Sequence, residues 1–215
     1  VEMPRGLKKM ALVYLFQWYA MNVFWQYLGL MCAIAYFGVD VNQKGYAETD
    51  AFSDASGFAT GLMVVYYIAC TIVALFLARL ANKVGPKHVH TAALFLAAIC
   101  LYLLTHIGSA DNTTVLYLPM IGIGVAWASI VGIPYVMATE MIRKERRGVY
   151  MGVINMMIVV PQLLQTLTFG FIYKNLLGNH PVNALLFVAV FLVIAGLLIE
   201  WIDTDKDADP RVRAA

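Results

Sequence analysis

Charged side chains are scarce in this sequence. Asp, Glu, Lys and Arg make up 13% of its 215 residues, about half the share typical of a soluble domain. That shortage excludes an ordinary water-soluble fold, and with 61% hydrophobic residues and a mean hydropathy of +0.74 it places the chain in a membrane. Ionisable residues are missing from the middle of every apolar run as well. From residue 10 to 202 the acids are Asp40, Glu48, Asp50, Asp54, Asp111, Glu140, Glu145 and Glu200, all in loops or at run ends. No run holds a Ser with a His, a carboxylate pair or an H-E-x-x-H at mid-membrane depth, so an enzyme is not expected. Only three cysteines occur, Cys32, Cys70 and Cys100, one in each of three runs and without C-x-x-C spacing. They read as small packing residues rather than as disulfide or metal partners. The opening "VEMPRGLKKM" lacks a cleavable signal pattern; either translation starts at Met3 or an upstream segment precedes it. Nothing calls for a metal or a cofactor.

What the chain has in abundance is long apolar stretches. Six of them, at 10–37, 57–80, 89–107, 115–139, 149–173 and 184–202, reach or approach the roughly 20 residues a helix needs to cross a bilayer. They are too long and unbroken for barrel strands, so the expectation is an all-α membrane protein with a single six-helix bundle and a cytoplasmic tail at 203–215. Thirteen of the fifteen Lys and Arg lie before the first span, between the second and third, between the fourth and fifth, and in the tail. Cytoplasmic loops collect such residues, so both termini are expected inside. "RKERR" at 143–147 is then a topological anchor, and the small net charge of +2, spread over several loops, does not point to nucleic acid. Residues 40–56 read as the longest connection, a mobile external loop. His88 and His90 read as solvated cytoplasmic residues, and "DTDKDADPRVRAA" as a solvated natural C-terminus.

Two runs carry polar stripes. Trp18, Asn22, Trp25, Gln26 and Gly29 share a face of the first helix, and Asn155, Gln162 and Thr166, with Gln165 beside them, share one on the fifth. A buried amide needs partners, which can be a neighbouring helix, as interhelical glue, or a polar solute in a cavity whose wall these stripes form. The third and sixth runs are nearly featureless and read as the lipid-facing pair. Gly124, Ala128 and Gly132 on the fourth, and Gly148 and Gly152 on the fifth, have the four-residue spacing that lets backbones approach. Pro134 and Pro161 each remove a helical hydrogen bond and are candidates for a hinge or for a static bend.

This plan, and especially "GVAWASIVGIPYVM" followed by a basic loop and "GVYMGVINMMIVVPQ", resembles the tenth and eleventh helices of major facilitator sugar transporters of the sucrose and maltose type. Those transporters are relatives of the glycoside-pentoside-hexuronide cation symporters. "MPRGLKKMALVYLFQWYAMNVFWQY" is similar to their seventh helix. "ARLANKVGPK" resembles the superfamily's cytoplasmic signature loop at Leu80, Ala81, Lys83, Gly85 and Lys87, with Ala78 for the leading Gly, Asn82 for the acid and Pro86 for a cation. The resemblance implies a secondary carrier of sugars or glycosides in a bacterial cytoplasmic (inner) membrane, coupled to protons or sodium. This chain would supply helices seven to twelve and need an N-terminal six-helix half as partner.

On that reading the sugar contacts are Trp18, Asn22, Trp25, Gln26, Trp127, Tyr135, Asn155, Gln162 and Gln165. Aromatic faces suit the apolar sides of pyranose rings, and amides suit their hydroxyls. Tyr67 and Thr71 are secondary candidates. Asn82, Lys83, Gly85 and Lys87 form the gating loop, and Pro134 and Pro161 the hinge. With no ionisable residue deep in a span, a coupling carboxylate is expected in the other half. Carriers of other neutral solutes, such as nucleosides or drugs, and a six-helix sensor or assembly protein remain the alternatives.

Overall fold

Proline and glycine set most helix boundaries in the computed structural model, which describes residues 3–213. Helix α1 (Arg5–Tyr36) begins directly after Pro4. Helix α2 (Asp50–Val84) starts where the Thr49 hydroxyl accepts the Phe52 amide at 3.3 Å, and it ends on Gly85, whose φ of +98° suits only glycine comfortably. Pro86 then opens α3 (Pro86–His106) at the position where a missing N–H costs nothing. Helices α4 (Tyr117–Met141) and α5 (Arg147–Asn175) follow, each with an internal proline. Helix α6 (Pro181–Glu200) again opens on proline, after left-handed turns at Gly178 and Asn179.

All six expected helices are present and five are long and apolar enough to cross a membrane; α1 is the exception. Its shortfall has a simple cause, since Gln17, Trp18, Asn22, Trp25 and Gln26 occupy its middle. At 32 residues it extends about 48 Å, well beyond a hydrocarbon core of about 30 Å.

Helices α3 and α6 pack along each other, α6 also along α1 and α3 along α4, while α2 lies on α4 and α1, and α5 on α1. Helices α4 and α5 do not pack along one another, so α1 shows between them. Helices α3 and α6, expected as the lipid-facing pair, pack along each other while their outward faces stay open at Leu96, Ile99, Tyr102, Val190 and Leu197. In their most apolar stretches 50% of α3 and 44% of α6 is buried, against 22% for both α2 and α5. A featureless apolar helix packs on another helix as readily as on lipid, and Ala93, Ala97, Ala98, Ala195 and Gly196 let α3 and α6 settle into the bundle. The outward surfaces of α2 and α5 carry Ile68, Ile72, Leu75, Leu163, Leu167 and Phe171, each more than half exposed.

Small residues behave differently on the two helices that carry them. A Cβ on Gly124 would run into the Tyr66 carbonyl and lie 2.9 Å from the Ala69 Cβ, so α4 meets the α2 backbone directly. Gly148 and Gly152 have nothing within 4 Å and close no contact within this chain. All three cysteines are free.

Two segments expected to be solvated are ordered. The loop read at 40–56 is shortened because α2 begins at Asp50 and a 3-10 turn covers Tyr46–Glu48. Val39 packs with Ala33 and Ala55, and its amide bonds the Ala33 carbonyl at 3.0 Å. The tail is likewise docked beneath the bundle. Lys9 Nζ reaches Asp207 Oδ2 at 2.6 Å and the Trp201 carbonyl at 3.0 Å, and lies 4.9 Å above the Trp201 ring. The Gly6 amide donates to the Asp207 carbonyl at 3.0 Å, the Asp209 amide to the Met141 carbonyl at 3.1 Å, and Arg143 Nε to Asp209 Oδ2 at 3.2 Å.

Alternating acids look solvated in a sequence, but here they face cations at the ends of α1 and α4. Burial pushes the Asp207 carboxyl up, and the bonds from Lys9 and the Asp203 amide outweigh it, so the group rests below the ordinary carboxylate range. Residues 214–215 of the tail and the side chains of Arg211 and Arg213 lie outside the described residues.

Candidate solute site on α1, α4 and α5

The polar stripes of α1 and α5 meet. Asn22 Nδ2 donates to Gln165 Oε1 and lies 3.5 Å from the Gln162 carbonyl. Gln26 and Gln165 exchange amide bonds at 3.0 and 3.4 Å. Gln165 is buried while Gln26 is exposed, so the cluster runs from the helix interface to the open side of the bundle. On α5, Thr166 turns back to its own Gln162 carbonyl at 2.9 Å. The Gln162 side chain is half-buried and contributes to the cluster through its backbone.

Above the amides stands a cage of indoles. Trp127 of α4 meets Trp18 edge-on at 5.5 Å and Trp25 at 5.0 Å, and stacks on Tyr66 of α2 at 6.4 Å. Edge-to-face contacts of this kind fix ring orientation. Tyr135 of α4 donates to Asn155 Oδ1 of α5 at 3.0 Å, bridging the gap between helices that do not otherwise pack along one another. The structure therefore gathers the nine sequence-derived contacts into three neighbouring groups: an amide cluster, an indole cage and a hydroxyl–amide bridge. Tyr67 and Thr71 are not among them. They line a shallow apolar groove made by α2 alone, with Val64, Ile68 and Ile72.

Several polar atoms in this region have no protein hydrogen-bond partner although they are buried: Tyr14 Oη, Gln17 Nε2, Trp18 Nε1, Trp25 Nε1 and Tyr66 Oη. The Trp25 indole and the Tyr66 hydroxyl come near each other without closing a bond. Four of the five sit on α1, where Tyr14, Trp18 and Trp25 share one face at i, i+4 and i+11. A family model described as Major Facilitator Superfamily matches residues 10–215. The chain belongs to the Major Facilitator Superfamily. No curated protein matches it. Among the described residues, no three His, Cys, Asp or Glu side chains gather into a group that could hold a metal ion.

For this facilitator chain the loop between α2 and α3 is a tight turn. The Gly85 amide bonds the Ala81 carbonyl at 2.9 Å, and Asn82 and Lys83 are exposed. Lys87 leaves the loop and reaches Glu200 at the end of α6, 3.5 Å from its carboxylate, beside Thr91, which donates to the same carboxylate at 2.6 Å. Its contact thus ties α3 to α6. Pro134 and Pro161 are both buried inside continuous helices, where they free the carbonyls of Ile130 and Met157.

One buried polar group was missed in the sequence. His90, read as a solvated loop residue, is fully buried, with Nδ1 2.9 Å from Ser129 Oγ and Nε2 3.1 Å from Gln17 Oε1. The correction has a physical cause: α3 begins at Pro86, so the fifth residue of the helix already faces α1 and α4. The i, i+4 spacing of His90 with the buried Leu94 was the available signal.

Proposed function

We propose that this chain is the C-terminal half, equivalent to helices seven to twelve, of a secondary carrier for a sugar or glycoside in a bacterial cytoplasmic membrane, with both termini inside and transport coupled to a cation, most simply a proton. The observation that carries this reading is the Trp18–Trp25–Trp127 cage standing next to the Asn22–Gln26–Gln165 amide cluster. Indole faces suit the C–H surface of a pyranose ring, and neutral amides can both donate to and accept from its hydroxyls. No charged side chain takes part, which suits an uncharged solute. The resemblance of residues 124–162 to sucrose and maltose carriers points the same way. The open surfaces of α2 and α5 fit a second six-helix half against which this one rocks, with solute between the halves and lipid around both.

The test is uptake of labelled sucrose and maltose into proteoliposomes. The purified chain alone is expected to be inactive, and co-assembly with a six-helix N-terminal half to give pH-dependent uptake. Trp25→Ala or Gln162→Ala should weaken sugar binding in the assembled carrier without uncoupling it. Uptake of nucleosides or cationic drugs in place of sugars would move the substrate class, and uptake by the lone monomer would end the half-carrier reading. Impermeant thiol labelling of a cysteine placed at Asn42 but not of one at Lys144, in intact cells, checks the orientation.

A further inference from the structure

The sugar contacts read from the sequence leave a set of fully buried polar side chains without a task. His90 of α3 joins α1 and α4 through Gln17 and Ser129, and all three residues are fully buried. The atom that faces His90 Nε2 is the Gln17 carbonyl oxygen, which can only accept. With the amide in this orientation Nε2 carries the proton and Nδ1 accepts from the Ser129 hydroxyl. The neutral imidazole is satisfied at both nitrogens. Gln17 is not, because its Nε2 has no protein partner. Turning the amide over exchanges which of its two heads is unfilled but fills neither in full. Within the same turn of α1, Trp18 Nε1 and Tyr14 Oη are also unfilled, with the two rings 6.4 Å apart, and Trp18 belongs to the indole cage.

We propose that His90 is a positioning residue for the solute site: by holding the Gln17 carbonyl and leaving its Nε2 protons free, it keeps Gln17, Trp18 and Tyr14 as a donor subsite for an oxygen-rich neutral solute. Two arguments favour this over interhelical glue. Glue would use both heads of the amide, since an unfilled buried donor is unfavourable. The unfilled groups also cluster: three sit within about one turn of α1, two of them can donate without accepting in their present bonding, and one of them, Trp18, belongs to the cage, with the Tyr14 ring 6.4 Å from it. An acceptor-rich hydroxylated ligand is the chemistry that would fill them. The inference rests on the solute-carrier reading above and extends it to a helix, α3, that has no other part in the site.

The experiment uses the full chain with ¹⁵N-glutamine labelling, which marks only five residues, and identifies the Gln17 side-chain amide by its disappearance in Gln17→Met. Wild type is expected to show two distinct, fixed Nε2 proton signals. His90→Leu should merge or broaden them, and His90→Gln, which can donate to Gln17 and accept from Ser129, should restore them. Should His90→Leu fail to fold, Ser129→Ala serves instead, since loss of the hydroxyl frees the imidazole to change tautomer and the Gln17 signals should broaden. Addition of maltose or sucrose should shift the Gln17 signals in wild type, and His90→Leu should weaken the affinity about tenfold, with His90→Gln recovering most of it.

Gln17 signals unchanged in His90→Leu and Ser129→Ala would overturn the positioning role. Signals unmoved by a sugar that does change tryptophan emission would overturn the subsite. If neither sugar changes the emission even when the chain is co-assembled with an N-terminal half, the sugar reading fails on its own, and the comparison of the Gln17 amide between wild type and the His90 variants still decides whether His90 orients it.

Discussion

The end of the bundle that holds both termini, its base, and the middle of the bundle treat polarity in opposite ways. At the base, Lys9, Asp207, Arg143 and Asp209 are charged, paired and reinforced by backbone bonds from Gly6 and Asp209. In the middle, Asn22, Gln26 and Gln165 are neutral and paired, while Trp18, Trp25, Tyr14 and Gln17 hold buried polar atoms that no protein group fills. Water can reach the base, so charges there lose little hydration and close the structure. Hydrocarbon surrounds the middle, where charge is expensive and where an unfilled neutral donor calls for a polar partner. The contrast teaches that polarity closes the structure at the base and is left partly open in the middle.

Deleting residues 203–215 should break the base most severely. It removes two ion pairs and several backbone bonds and leaves Lys9 and Arg143 without their acids. A loss of about 3–5 kcal/mol is expected from a broken, partly buried ion network, read as a lower thermal unfolding midpoint, with tryptophan emission from the cage unchanged. A shift in emission equal to that of unfolding would show that base and middle are not separable.

Next in size is Gln165→Leu, which strands Asn22 and Gln26 together. About 2–3 kcal/mol of destabilisation is expected, along with loss of sugar binding, and denaturation curves alongside ligand titrations would separate the two effects.

Asp207→Asn removes one charge and keeps the shape, so about 1–2 kcal/mol is expected. Acid is the same lever without a mutation. The Asp207 carboxyl is held below its ordinary range in the folded chain, so its contribution is full above the unfolded carboxylate pKa of about 3.9 and disappears as pH falls through the lower folded value. Stability followed down from pH 5 should therefore fall less steeply below pH 4 in Asp207→Asn than in wild type. Identical slopes would remove Asp207 from the base's support.

The smallest effect should come from Tyr135→Phe, which unties α4 from α5 at an exposed site. Under about 1 kcal/mol is expected, and a cysteine placed at Met151, one turn away on α5, should become more reactive to a polar thiol reagent in Tyr135→Phe than beside an intact Tyr135. Equal reactivity would mean that the bridge does not hold the gap closed.

How legible was all this in the chain? The helices were, because hydropathy over twenty residues is a local property and lipid makes it decisive. Each of the six was found, with ends displaced by no more than about seven residues, the worst at α2, where the Thr49 cap and an alanine-rich turn continue the helix beyond its apolar portion. The α1 and α5 stripes were legible too, each from its own spacing, whereas their meeting through Asn22, Gln26 and Gln165 came only from the fold. The packing of α3 and α6 into the bundle was not, for a uniformly apolar surface does not say whether lipid or helix covers it. His90 and the docked tail were missed for a related reason. Their partners, Gln17 and Ser129 in one case, Lys9, Gly6, Met141 and Arg143 in the other, are far away in sequence, and a histidine near a loop or a run of alternating acids looks solvated until the fold supplies its neighbours.

The docked tail also sets an order of events during synthesis. Lys9 precedes its partner Asp207 by 198 residues, and every span lies between them. At about 5–20 residues per second, roughly 10–40 s pass after Lys9 is made before the acid that fastens its end of α1 exists. Arg143 is made later and waits a shorter time for Asp209. In those intervals anionic lipid headgroups, which attract basic residues, are a counterion within reach, to be displaced by the protein's own acids when the tail docks.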